Sequence, residues 1–454
     1  MKNRIGVLTI FALSLAGSLT LVIAQSQRRD AGFVFESEPR AVMAGNGAGV
    51  SRHAKLALRT TNLYMLTVYG ADKGQSQLGL AVSNDWGDSF EPIVPISEPG
   101  AAVSSHGENS PSLAINGIEF YALWEQNTLA GETDLMFARS LRFGRKFDKP
   151  VRVTDKTTPS QNGFSYLAVA PNGDLYAVWL DGRNPQNTAP GTSHVYLAKS
   201  TDKGATWGKN IAVANDVCPC CRPAIAFGAG GEVFVAWRGV DAGDVRDMTL
   251  AVSTDNGLTF GKPAVMANDN WKISGCPHTG PQLLTRGRRL YAAWHSDGGS
   301  KNAGIRVVWS DDNGRTFSKP VIASGAVNDT NHPTLSLSED GRLLLVFQGR
   351  EPAEKEGWGP VRAFLTEVYD SGAVSAPSVI PGSRKTVQFP AVVAGTVGRV
   401  FVVWTEATDK GVQVMLSRGR KGNKATISAS AAAKSRAVRT TRPASAEVEH
   451  NHQH

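Results

Sequence analysis

Apolar positions along this chain come in short runs that repeat at a nearly constant interval. Each unit opens with a short strand often marked by Pro, passes a Gly turn, and continues into an apolar strand usually ending in Trp. Arg222-Pro-Ala-Ile-Ala-Phe followed by Glu232-Val-Phe-Val-Ala-Trp237 is one example, and His332-Pro-Thr-Leu-Ser-Leu followed by Leu343-Leu-Leu-Val-Phe347 is another. The second runs end at Val68, Trp124, Trp179, Trp237, Trp294, Phe347 and Trp404, about fifty-five residues apart. A third strand follows, as in His194-Val-Tyr-Leu-Ala-Lys-Ser200, and then a fourth. Helical periodicity is scarce. Four strands per unit, repeated in this way, predict an all-β chain folded as a β-propeller of seven blades by count of units, or alternatively six if one unit is an embellishment.

Between the third and fourth strands one phrase recurs: Ser83-Asn-Asp85-Trp-Gly87-Asp-Ser-Phe90, Ser200-Thr-Asp202-Lys-Gly204-Ala-Thr-Trp207, Ser253-Thr-Asp255-Asn-Gly257-Leu-Thr-Phe260 and Ser310-Asp-Asp312-Asn-Gly314-Arg-Thr-Phe317. A degraded copy spans Ser140 to Phe147, and the sixth unit carries only Tyr369-Asp-Ser-Gly-Ala. The Asp accepts backbone N–H groups and closes a turn, the Gly takes positive φ, and the aromatic pins the hairpin to its sheet.

This phrase resembles the Asp-box of the sialidase family, also called the bacterial neuraminidase repeat, and the resemblance covers most of residues 51–418. It implies a propeller, six-bladed in known sialidases, with the boxes on the face away from the active site. An exo-sialidase would need arginines clamping a carboxylate, a Tyr nucleophile activated by a Glu, and an Asp acid/base. The family's Arg-Ile-Pro of the first blade is absent, the matching region reading Ser51-Arg-His-Ala-Lys, and no Tyr/Glu pair stands out in the late blades. Tyr69, Tyr166 and Tyr291 are candidates by location alone. Fold therefore carries over more firmly than activity.

In such a ring, the starts of the inner strands (His53, Ser110, Ser165, Arg222, Gly280, His332, Phe389) surround one mouth of the central channel. So do the ends of the second strands (Glu125, Asp181 with Arg183, Arg238, His295 with Asp297, Arg350 with Glu351, Glu406). For a hydrolase the candidate residues are Arg183, Arg222, Arg238, Arg350, Asp181, Asp297 and Glu351.

All four cysteines fall at two neighbouring inner-strand starts, Cys218-Pro-Cys220-Cys221-Arg222-Pro and Cys276-Pro-His278-Thr-Gly-Pro281, with His332 one blade further round. Two readings stand. In an oxidising compartment an even number of cysteines suggests disulfides, most usefully one from Cys276 to the 218–221 group. Alternatively, thiolates with imidazole suit Cu(I) or Zn(II), although Cys-x-Cys-Cys matches no zinc-finger spacing.

Residues 1–24 read as a signal peptide, with Lys2 and Arg4 ahead of a largely apolar stretch and Val22-Ile23-Ala24 at its end. Export to the periplasm or medium is the expectation, with no later membrane span. Residues 25–50 form an N-terminal segment in which Ala31-Gly-Phe-Val-Phe-Glu is available to close the ring, residues 51–418 the propeller, and 419–454 a disordered basic tail ending in alternate His. The formal net charge of +8 is partly concentrated in that tail. In an exported protein it points to glycan or envelope-protein contacts rather than nucleic acid. No phosphate-binding Gly loop, Gly-x-Ser-x-Gly elbow or His-Glu-x-x-His helix is present. The expected role is binding at the cell envelope through the Cys/His/Arg mouth, with a sialidase-type glycoside hydrolase or a non-catalytic scaffold as alternatives.

Overall fold

The computed structural model describes residues 32–42, 50–70, 76–128, 130–155, 161–183, 189, 191–298, 303–351, 359–384, 386–409 and 411–422. The expected signal peptide and nearly all of the basic tail lie outside the described residues. Among the described residues, thirty strands make seven antiparallel sheets, each a blade of the ring. Blade 3 is representative. Its order from the axis outward is β12 (Asn162–Val169), β13 (Leu175–Asp181), β14 (Ser193–Ser200) and β15 (Ile211–Val217). Blades 4, 5 and 6 repeat that order from inner strands β16 (Ala224–Phe227), β20 (Gln282–Arg286) and β24 (Asn328–Leu337).

The second strands read as unbroken apolar runs because both of their faces are buried. On β9 (Glu119–Asn127), Phe120, Ala122 and Trp124 pack toward blade 1, while Tyr121 and Leu123 pack toward blade 3. Seven apolar clusters result among the described residues, one between each pair of neighbouring blades, including the pair formed by the last and the first. The Trp at the strand end is anchored as well as buried. Trp179 Nε1 donates to Asp181 (2.8 Å), Trp404 Nε1 to Glu406 (2.7 Å) and Trp294 Nε1 to Asp269 (2.7 Å).

The ring is closed by the beginning of the chain. Strand β1 (Phe33–Phe35) lies antiparallel on β30 (Gly411–Lys421), with Phe33 opposite Lys421, and β2 (Arg40–Val42) pairs further along the same strand. Strand β30 continues past Arg418, the expected end of the propeller, to Lys421.

The four repeated phrases form one turn. In the second, Asp202 accepts from the Thr206 N–H (2.9 Å) and hydroxyl (2.6 Å), while Ser200 Oγ accepts the Gly204 N–H (2.8 Å). Lys203 and Gly204 have φ of 59° and 79°, two successive left-handed residues as a type I′ turn requires. The hydrogen bonds from Thr206 hold the Asp202 carboxyl at about 2.

Trp179→Ala removes a fully buried ring and one of the hydrogen bonds that the Asp181 carboxylate accepts, leaving Arg183 as its partner. We expect a loss of about 3–5 kcal/mol, read as a lower urea midpoint, whereas Leu258→Ala, at a site 65% exposed, shifts stability by no more than about 0.5 kcal/mol.

Candidate functional site

The mouth opposite the Asp-box turns is built by a recurring distortion. In blades 1, 3, 6 and 7 the inner strand breaks register near its start, and residues there turn left-handed: His53 (φ 54°), Phe164 (54°), Asp329 (47°) with His332 (49°), and Phe389 (50°). Such bulges re-aim a side chain out of the sheet. The Phe389 ring consequently sits between two imidazoles, 4.6 Å from His53 and 4.5 Å from His332.

Blades 4 and 5 reach the mouth differently, through the loops that lead from an outer strand to the next inner strand. The two loops align residue by residue: Cys218-Pro-Cys220-Cys221-Arg222-Pro223 against Cys276-Pro-His278-Thr279-Gly280-Pro281. They touch backbone to backbone. A Cβ on Gly280 would stand 2.0 Å from the Arg222 carbonyl oxygen, so only glycine fits. Glu108, from the blade 2 loop, locks the contact. One carboxylate oxygen accepts the Arg222 N–H (3.0 Å) and the Gly280 N–H (2.7 Å), and the other lies 3.4 Å from His332 Nδ1. Burial pushes the Glu108 carboxyl up, but the bonds from His332 and the two backbone amides outweigh it and bring it below the usual range.

The cysteines are free thiols. Cys218 Sγ lies 3.7 Å from Cys220 Sγ and 3.5 Å from Cys221 Sγ, and Cys220 and Cys221 are 3.9 Å apart. Phe164 and Val240 pack against this buried trio. Cys220 also forms a second group with Cys276 and His278, whose donor atoms all lie within 4.8 Å of one another. Hydrogen bonding with Cys220 and Cys221 holds the Cys218 thiol well below the ordinary range, and burial pushes Cys221 up. Burial likewise lowers His106 and His53, keeping both imidazoles neutral. His332 is turned to Glu108 rather than to the thiols.

The arginines named from sequence are engaged by the protein itself. Arg222 donates to Ser165 O (2.7 Å), Ser110 Oγ (2.9 Å) and Ser112 Oγ (2.6 Å) beneath the mouth, over the Tyr166 ring. Arg238 donates to the carbonyls of Thr279, Arg246 and His295. Arg183 is held between Asp181 and Asp155, each at 2.8 Å. Arg350 pairs with Asp329 (2.9 Å) and lines, with His295, Asp297 and Glu351, a cavity of about 640 Å³ between blades 5 and 6. Arg222, Arg238 and Arg183 do not line that cavity. Asp181 itself receives the Trp179 indole and the Arg183 N–H.

Hydrogen-bonded Tyr/Glu pairs do occur among the described residues, namely Tyr121 with Glu119 (2.7 Å) and Tyr369 with Glu367 (3.0 Å). Both sit at the Asp-box end of their blades, far from the mouth. Tyr69 bonds Gln77, Tyr166 lies under Arg222, and Tyr291 bonds Asp370. Sequence reasoning missed Glu108 and His106. The signal was available, since Glu108, Cys220 and His278 all stand three residues before the Pro that opens the inner strand of their blade.

Residues 119–346 match the BNR repeat-like domain. A sialidase of Micromonospora viridifaciens is 27% identical over 285 residues, 54% of this chain and 41% of that protein, so the chain spans less than half of this curated relative. Among solved structures, an ulvan lyase of polysaccharide lyase family PL25 superposes with a TM-score of 0.51 at 13% identity, covering 85% of this chain and 95% of that one. A Trypanosoma rangeli sialidase in complex with sialic acid gives 0.45 at 11%, covering 86% and 59%. At such identities the lyase establishes a shared fold alone.

Lys55 lies in the channel below the mouth, among Ser112, Tyr166, Arg222 and Gln282. Burial, then the Arg222 charge, lowers it to about 7, with Glu108 opposing. Its folded value is below the unfolded one, so the unfolded chain binds the extra proton between about 7 and 10.5, and stability rises with pH across that window. Lys55→Met should raise the urea midpoint most below pH 7, with the advantage fading toward pH 10.5.

Proposed function

The chain belongs to the BNR repeat-like domain family, and from that premise we propose a binding role at the cell envelope, in which the mouth of the propeller holds a soft metal ion and does not hydrolyse glycosides. The observation that carries this reading is the spacing of the three buried sulfurs, 3.5, 3.7 and 3.9 Å. Three sulfurs each about 2.3 Å from one ion stand about 4.0 Å apart when the ion lies in their plane, and about 3.8 Å apart in a tetrahedron. The trio is therefore near the geometry of a ligand set before any ion binds. Thiolate donors with a neighbouring imidazole favour Cu(I) over hard cations. Zn(II) would require a fourth ligand to complete its tetrahedron.

A sialidase mechanism finds little support in the same site. The arginines that would clamp a substrate carboxylate already bond to carbonyls, serines and aspartates. The Tyr/Glu pairs lie at the opposite end of the ring. Export through residues 1–24 would place the protein where it meets extracytoplasmic copper.

The test is a competition titration of reduced protein with Cu(I) in bicinchoninate, run beside a fluorogenic sialoside assay. Wild type should take Cu(I) from the chelator, Cys221→Ser should weaken uptake by at least about tenfold, and no sialoside should turn over. Turnover abolished by Arg350→Ala, with no Cu(I) taken up, would reverse the reading in favour of the hydrolase.

A further inference from the structure

Resting on the metal-binding reading above, we propose that the mouth holds two Cu(I) ions bridged by the Cys220 thiolate. The inner ion sits on Cys218, Cys220 and Cys221, and the outer one, which is the entry position, on Cys220, Cys276 and His278. Cys220 belongs to both groups, and within each group the donor atoms lie within 4.8 Å of one another. Together they offer five donors, more than the three or four that one such ion takes. A thiolate sulfur has lone pairs enough to bond two ions, so the shared residue is the natural bridge.

Burial orders the two positions. Cys218, Cys220 and Cys221 are 1%, 5% and 1% exposed, whereas Cys276 is exposed. An ion arriving from solvent therefore meets Cys276 and His278 first. It moves inward by exchanging those ligands for Cys218 and Cys221 while keeping its bond to Cys220. Copper stays Cu(I) throughout, and each thiol that binds releases its proton to water. The repeat of the loop explains the division of labour. Cys220 and His278 occupy the same position in successive blades, and the contact of Gly280 with Arg222 brings them together.

The experiment measures Cu(I) stoichiometry and uptake rate on anaerobically reduced, full-length protein, with thiols counted beforehand and folding checked by circular dichroism. Wild type should bind two equivalents. The Cys276→Ser/His278→Ala variant, altered only on the exposed side, should bind one and take it up more slowly. A single equivalent in wild type, unchanged in number and rate by that variant, overturns the bridged pair while leaving the metal-binding reading standing. No uptake by folded, fully reduced protein overturns both.

Discussion

Everything at the mouth depends on one close approach, the Gly280 backbone against the Arg222 carbonyl. A methyl group at Gly280 would overlap that oxygen, so any other residue would drive the blade 4 and blade 5 loops apart. Glu108 spans the channel from blade 2 and accepts the amide protons of both residues. A buried carboxylate with two backbone donors is well satisfied, and removing it would leave both amides without partners. The cysteines come from loops more than fifty residues apart in sequence. They meet because this contact holds the two loops in parallel, one blade apart.

The contact in turn requires a closed ring. Each second strand is buried on both faces, so no blade can cover its apolar surface without two neighbours. The last blade finds its outer strands in β1 and β2, from the opposite end of the chain. Closure draws seven inner-strand starts to one axis, and the left-handed bulges turn His53, Phe164, His332 and Phe389 across it. The same crowding fixes the roles of the arginines. Arg222 and Arg238 bridge strand and loop carbonyls of neighbouring blades. A guanidinium used in this way supports the walls of the site and has few donors left for a ligand.

Much of this was legible in the sequence. The Asp-boxes specify their turns locally, through an Asp, a Gly and an aromatic at fixed offsets, and the structure forms all four as written. The Trp-ended apolar runs gave the number of blades, seven. Grouping Cys218, Cys220, Cys221 and Cys276 followed from topology alone. What local pattern does not encode is the partner of a charged side chain. Asp181 and Arg183 look like mouth residues in sequence, yet Asp181 answers the Trp179 indole and Arg183 answers Asp181 and Asp155. Glu108 looks like an ordinary loop acid, and only the closed ring places it opposite the amides of blades 4 and 5. Left-handed residues such as His332 carry no compositional mark, because a non-glycine residue adopts positive φ here only under the constraint of the bulge.

The most direct measurement is anomalous diffraction at the copper edge from crystals of the reduced protein loaded with Cu(I). The account predicts a strong peak enclosed by the sulfurs of Cys218, Cys220 and Cys221, on the face opposite the Asp-box turns. Copper found only elsewhere on the ring, or well-ordered thiols with no peak between them, would contradict it.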